Sequence, residues 1–120
     1  MIEVSKFVST LMISRTQAHI YHLQTQSYAQ HKALQDYYEE IVDLIDEYVE
    51  AYQGKYEILR GYILPTTWRE DDNALRYFLG MREYIQRIRT TLPQDDELVN
   101  VMDDIATLIN TTIYKLKVLK

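Results

Sequence analysis

The sequence predicts an all-α protein built from four helices, and two observations carry this prediction. Four long segments place apolar residues at intervals of three and four, the spacing of one helix face, and no segment shows the alternation of a strand. Most of the three glycines and two prolines fall between these segments. The length of 120 residues is typical of one domain, so we expect a single four-helix unit over residues 1–120.

The first two helices are predicted over residues 3–24 and 28–53. Ser27 stands just before the second helix, where its hydroxyl can accept a hydrogen bond from a free backbone N–H. Gly54 follows that helix and is predicted to end it, because glycine tolerates positive φ. The break between these helices is short, so they should form an antiparallel pair.

A long and unusually apolar connection is predicted over residues 55–69. Pro65 excludes a continuous helix there, and the many apolar side chains favour a crossover packed on the bundle and engaged in subunit contact, either with or without a short helix. The third helix is predicted over 70–91 and the fourth over 94–119. One long crossover between the second and third helices is the arrangement of ferritin-like four-helix bundles.

Each of the last two helices has a predicted start signal. Asp71 or Asp72 could cap the third helix, and Pro93 precedes the acidic first turn of the fourth.

Charge and composition exclude several classes of function. The formal net charge of −5 argues against a sequence-independent nucleic-acid binder, and the absence of cysteine excludes disulfides and thiolate metal sites. The N-terminal residues lack the positive cluster and cleavage site of a secretory signal. No apolar run approaches the ~20 residues of a membrane span. We therefore expect a cytoplasmic protein that binds neither nucleic acid nor membranes.

The strongest functional signal is a cluster of histidines followed by acids. All three histidines of the chain lie within thirteen residues, and the same stretch continues into an acidic segment. Imidazole and carboxylate are the ligands that iron and zinc take where thiolates are absent. The candidate metal ligands are His19, His22, His31, Asp46 and Glu50.

Helix geometry indicates that these ligands cannot all come from one chain. His31 and Asp46 are fifteen residues apart on the predicted second helix, which corresponds to ~22 Å along its axis. Two subunits packed antiparallel about a two-fold axis could bring the histidine end of one against the acidic end of the other. The sequence therefore predicts that a metal site here needs a homo-oligomer.

The ligand spacing resembles that of the Dps family of mini-ferritins, which oxidise and store iron. His19 and His31 are twelve apart, Asp46 follows fifteen later and Glu50 four after that, as in the Dps metal-binding segment. The resemblance covers about residues 15–54, and this stretch is also similar to small ferritin-like proteins of tailed bacteriophages. It implies Fe(II) oxidation at a two-fold interface, with histidines from one chain and acids from the other, in a dimer or a larger shell.

Departures from the Dps pattern leave alternatives open. Gln35 stands where the family usually has an aspartate, and the turn motif after the first histidine is missing, so His22 could replace His19 as ligand. The implied metal is iron, with zinc or another divalent ion as alternatives. The rival hypothesis is a non-catalytic interaction or structural protein on the same scaffold, so ferroxidase activity stays open.

Aromatic residues supply the predicted contact surfaces. The chain has eleven tyrosines, and tyrosine is common at interfaces because its ring is apolar and its tip polar. The predicted core and interface residues are Tyr38, Tyr52, Tyr56 and Trp68.

Overall fold

The computed structural model describes residues 2–119, and all regular structure in that range is helical. The four long helices are α1 (Ile2–Gln24), α2 (Tyr28–Lys55), α3 (Ala74–Ile88) and α4 (Asp96–Val118), with a 3₁₀ turn at Arg89–Thr91. The all-α prediction of four helices is therefore confirmed. None of the helices described between residues 2 and 119 combines the length and the hydropathy that crossing a bilayer requires.

The helices form a bundle in which each one packs on two others. α1 packs on α2, α2 on α4 and α4 on α3, while α3 makes a smaller contact with α1. Burying the apolar face of each helix supplies most of the driving force for this arrangement. The largest fully buried apolar side chains come from all four helices and include Phe7, Leu11, Leu34, Tyr37, Ile41, Tyr48, Phe78, Ile85 and Ile105.

Of the two predicted ends of α2, the start is confirmed and the end is not. The Ser27 hydroxyl accepts the N–H of Gln30 at 3.2 Å, which confirms the predicted cap. The prediction that Gly54 ends the helix is wrong, because α2 continues through it to Lys55. The positive φ that was expected at Gly54 is found in the crossover instead, at Gly61 (85°).

The start of α3 also differs from the prediction. The helix begins at Ala74, not at residue 70, and Asn73 caps it by accepting the N–H of Arg76 at 3.0 Å. Asp71 does not cap the helix because its carboxylate is held elsewhere, by the N–H of Asn73 at 3.1 Å and by the hydroxyl of Tyr21 at 2.8 Å. The last turn of the predicted helix is the separate 3₁₀ turn.

The crossover over residues 56–73 contains no helix and lies along α1. The Ser9 hydroxyl accepts the N–H of Ile63 at 2.9 Å. Farther along, the Gln17 amide donates to the carbonyl of Arg69 at 2.8 Å and accepts its N–H at 2.9 Å. These contacts advance in the same direction on both segments, so the crossover runs parallel to α1. It returns the chain to the end of the bundle where α2 begins, and α2 and α3 start at that same end.

Buried polar side chains on α1 hold this crossover in place. Ser5, Ser9 and Gln17 are all buried, because they face the crossover backbone and not the apolar core. Buried polar groups need such partners, and an extended segment without a partner strand supplies free backbone N–H and C=O groups. Small polar residues at a spacing of four beside an apolar stripe were the sequence signal for this second buried face.

Candidate metal centre

A three-residue turn joins α1 to α2 and places the predicted histidines opposite each other. The N–H of Thr25 donates to the carbonyl of Tyr21 at 2.9 Å. The hydroxyl of Thr25 accepts the N–H of Ser27 at 3.2 Å and donates to Gln30 Oε1 at 2.9 Å. Hydrogen bonds between near neighbours in sequence therefore fix the geometry of the hairpin that carries the candidate site.

His22 and His31 bind each other's backbone across this hairpin. His22 Nδ1 lies 2.7 Å from the carbonyl oxygen of His31, and His31 Nδ1 lies 2.9 Å from the carbonyl oxygen of His22. The two rings stack with centroids 3.6 Å apart and planes 22° apart. A carbonyl only accepts hydrogen bonds, so both Nδ1 atoms must carry protons. Each neutral ring then has its lone pair on Nε2, the nitrogen that remains for a metal.

His19 and Tyr38 complete a cluster with these two histidines, which we call the histidine cluster (His19, His22, His31 and Tyr38). The His19 ring stacks on Tyr38 at 4.5 Å and lies 5.9 Å from His22. Tyr38 meets His22 edge-on at 5.2 Å. His19 is exposed, whereas His22 is buried, with 7% of its surface exposed.

The predicted acidic ligands lie far from the histidine cluster within one chain. Asp46 and Glu50 are exposed on α2, and Asp46 is ~22 Å from His31 along the helix axis. Over residues 2–119, no three histidine or acidic side chains come together in a way that could hold a metal ion. One chain thus brings the histidines together but leaves the acids at a distance.

The other predicted interface residues lie at the far end of α2 and on the crossover. Tyr52 is buried, whereas Tyr56 is exposed and stands 5.0 Å from the Tyr52 ring. The Tyr56 hydroxyl donates to Asp95 at 2.7 Å. Trp68 is half-buried on the crossover.

Asp95 is the centre of a small polar cluster at this far end, the tyrosine–acid cluster (Lys55, Tyr56, Asp95 and Glu97). The Lys55 ammonium binds the Asp95 carboxylate and lies 3.6 Å from Glu97. The hydrogen bonds from Lys55 and then Tyr56 hold the pKa of Asp95 below its usual value.

Sequence reasoning missed a pocket of about 480 Å³ beside the hairpin. Its walls come from the hairpin turn and from the segment before α3, and include Gln24, Gln30, Asp71 and Asp72. The N–H of Asn73 and the Tyr21 hydroxyl lower the pKa of Asp71. The residues of this pocket are about fifty positions apart in sequence and share no spacing, so no local signal could have found it.

Comparison with known proteins places the chain in a family. Residues 22–116 match the profile of a family of unknown function, DUF5856. The chain belongs to DUF5856. The region matched to DUF5856 contains His22, His31, Asp46 and Glu50, whereas His19 precedes it. No curated protein and no solved structure matches the chain.

Proposed function

We propose that this DUF5856 chain is a mini-ferritin-like protein that binds Fe(II) between two subunits and oxidises it. The observation that carries the proposal is the pair of reciprocal hydrogen bonds between His22 and His31. Metal-bound histidines usually donate their second ring N–H to a carbonyl or carboxylate, which fixes the tautomer and the ring orientation. Both hairpin histidines meet this condition through contacts within the chain itself.

The fold supports the same proposal. α2 and α3 start at one end of the bundle, and a single long crossover that packs on α1 connects them. Ferritin-like bundles have one such crossover. We therefore propose a ferritin-like fold for this chain.

A second subunit would supply the acids. Asp46 and Glu50 are exposed on α2, so both carboxylates are free to meet a neighbouring chain. Antiparallel packing of two α2 helices about a two-fold axis would set the histidine cluster of one subunit against the acids of the other. His31, with His22 or His19, would hold the ion, and the carboxylates would offset its charge and stabilise the ferric product. The electrons would pass to peroxide or to oxygen; with peroxide, one H₂O₂ would take one electron from each of two Fe(II) ions and, with two protons, form two water molecules.

Calorimetric titration of the whole chain with Fe(II) under nitrogen, and with Zn(II), tests this site. We expect saturable binding by the native chain and at least ~10-fold weaker binding by both His31→Ala and Asp46→Ala, as for the loss of a ligand. Asp43→Ala, an exposed acid on the same helix outside the proposed set, should bind like the native chain. Equal heats for all four proteins, or no heat from the native chain, would contradict the proposal.

Mixing the two weakened variants shows whether the site is shared. In a dimer of one His31→Ala chain and one Asp46→Ala chain, one of the two sites at the interface keeps both the native histidine and the native acid. We expect the mixture, after subunit exchange, to recover part of the binding that each variant lacks alone. Failure of the exchanged mixture to bind would exclude the two-fold arrangement.

The exposed apolar side chains of the crossover support a second candidate, a non-catalytic interaction protein on the same scaffold. Ile58, Tyr62, Ile63 and Leu64 are each at least 40% exposed, and grouped exposed apolar residues are typical of contact surfaces. On this hypothesis the stacked histidines only clamp the hairpin. The oligomeric state measured by sedimentation would then be the same with and without a chelator, whereas an oligomer that dissociates when a chelator is added supports the metal site.

A further inference from the structure

The crossover exposes apolar side chains, whereas polar side chains are buried beneath it. Ser5 and Ser9 are buried on α1, and each holds the crossover backbone by a hydrogen bond. In the stretch that they hold, Tyr62, Ile63 and Leu64 are 40%, 61% and 60% exposed. Apolar side chains that are grouped and exposed on an anchored backbone indicate a surface that another molecule covers.

An apolar groove opens next to these side chains, between α1 and α3. These two helices make only a small contact with each other, and the space between them is about 450 Å³. Ile13 of α1, Ile63 of the crossover, and Tyr84 and Ile88 of α3 form most of the apolar wall. We call this surface the crossover face (Ile13, Tyr62, Ile63, Leu64, Tyr84 and Ile88).

A groove with exposed apolar side chains beside it can pair with a second copy of itself. In a two-fold contact, every contact of one residue with another in the partner is matched by the reverse contact. The exposed crossover side chains of each chain can therefore cover the groove of the other, and both grooves are closed by a single contact.

The distribution of charge favours the same occupant. α2 carries seven acids and two lysines, an excess equal to the formal net charge of −5 of the whole chain. Two metal-free copies therefore repel each other through α2, because like charges placed together are unfavourable.

The charges around the crossover face are balanced instead. Glu3 and Lys6 lie at the groove on α1, and Glu57 and Arg60 lie on the adjoining crossover, all of them exposed. With equal numbers of each sign, this face can meet its own copy without a net repulsion.

We propose that two copies of this chain associate through the crossover face, with the exposed crossover side chains of each copy covering the groove of the other. α2 packs on α1 and α4, so the crossover face between α1 and α3 is a different surface from the proposed metal contact. The association needs no metal, and the two contacts together would link more than two chains.

Sedimentation equilibrium of the whole chain in a chelator, over a range of concentrations, tests the proposal. The chelator removes any metal-dependent contact through α2, so a dimer measured here is independent of the proposed function. We expect a reversible monomer–dimer equilibrium for the native chain. Leu64→Asp should associate ~10-fold more weakly or worse, because the contact then contains two carboxylates without partners.

Leu23→Asp is the matched control for this variant. Leu23 is 69% exposed in the last turn of α1, at the hairpin and outside the crossover face. It should associate like the native chain. Tyr62→Asp is a second variant within the crossover face and should weaken association as Leu64→Asp does.

A spin label locates the contact without disturbing the apolar residues. The chain has no cysteine, so Thr66→Cys, on the exposed crossover, takes a single label. In a mixture with isotope-labelled native chain, we expect broadening of the amide NMR signals of Ile13, Tyr84 and Ile88 in the native partner.

Three results would overturn the proposal. The first is a native chain that stays monomeric in chelator at every concentration. The second is a dimer that Leu64→Asp and Tyr62→Asp both leave intact. The third is broadening confined to α2, which would place the contact on the acidic helix.

Discussion

The two ends of α2 are held by contacts of different range. At the hairpin end, His22 and His31 bind each other across only nine residues of chain. At the far end, Tyr56 binds Asp95 across 39 residues, and Lys55 joins the same carboxylate. Closing a short loop costs less conformational entropy than closing a long one. The candidate chemistry therefore lies where the structure is most local, and the tyrosine–acid cluster needs α4 in place.

The apolar core does not share this difference. Leu34 near the hairpin is 0% exposed, and Leu98 near the far end is 1% exposed. The two ends thus differ in their polar contacts and not in their apolar packing. Substituting apolar and polar residues separately measures what each kind of contact contributes to the free energy of unfolding.

The largest expected effects come from shortening one buried leucine at each end. Leu34→Ala and Leu98→Ala should each lower the free energy of unfolding by ~2–5 kcal/mol, through lost burial and the cavity left behind. Urea unfolding followed by circular dichroism measures this. Leu23→Ala, at a site 69% exposed, is the control and should change stability by less than ~0.5 kcal/mol. A large difference between the two buried sites would mean that the ends are not equally packed.

Removing one stacked histidine should have the next largest effect. His22→Ala should cost ~1–3 kcal/mol, because the ring is buried and its hydrogen bond to the His31 carbonyl is lost. His19→Ala should cost less, since His19 is exposed. Denaturant unfolding gives the loss, and hydrogen exchange should show it concentrated in the α1–α2 turn. If exchange instead rises evenly over all helices, the hairpin is not a local unit.

Acid should weaken both ends through one aspartate at each. The folded-state pKa of Asp95 is lowered, chiefly by the hydrogen bond from Lys55, and that of Asp71 by the N–H of Asn73. Because the folded-state pKa is lowered, the ionised carboxylate stabilises the folded state in full at pH values above the ordinary pKa of 3.8. This contribution to stability is lost as the pH falls through the lower folded-state pKa.

The corresponding asparagine variants check this pH dependence. Asp95→Asn and Asp71→Asn should each lose stability less steeply than the native chain below about pH 4. The measurement is the urea midpoint as a function of pH. Curves that run parallel to the native one at acid pH would contradict the expected role of these carboxylates.

The smallest expected effect is at a surface ion pair. Lys32 pairs with Asp36 one turn later at 3.5 Å and is largely exposed. Lys32→Ala should therefore change the free energy of unfolding by less than ~0.5 kcal/mol. Lys115→Ala should change it more, since Lys115 binds the same carboxylate from α4 at 3.2 Å. The reverse order would show that local pairs matter more than pairs between helices.

Part of the site could be predicted from the sequence. His19 and His22 are three apart on α1, and the short turn ending at Ser27 returns the chain at once, so a meeting with His31 follows from local geometry. The mutual binding of carbonyl groups by His22 and His31 does not follow, because side-chain direction depends on how the two helices pack. Whether Asp46 and Glu50 complete a metal site depends on a second chain and stays a prediction.

The sequence by itself determined the four helices, most of their ends and the place of the long connection. The apolar period, the Ser27 cap and the scarcity of glycine and proline act within a few residues, so local chemistry is sufficient. Tertiary structure decided the start of α3, because the Tyr21 hydroxyl donates a hydrogen bond to the Asp71 carboxylate, which therefore does not cap the helix. It also decided the path of the crossover along α1. Each of these depends on partners distant in sequence, and a local pattern on one element does not identify the distant partner that it will meet.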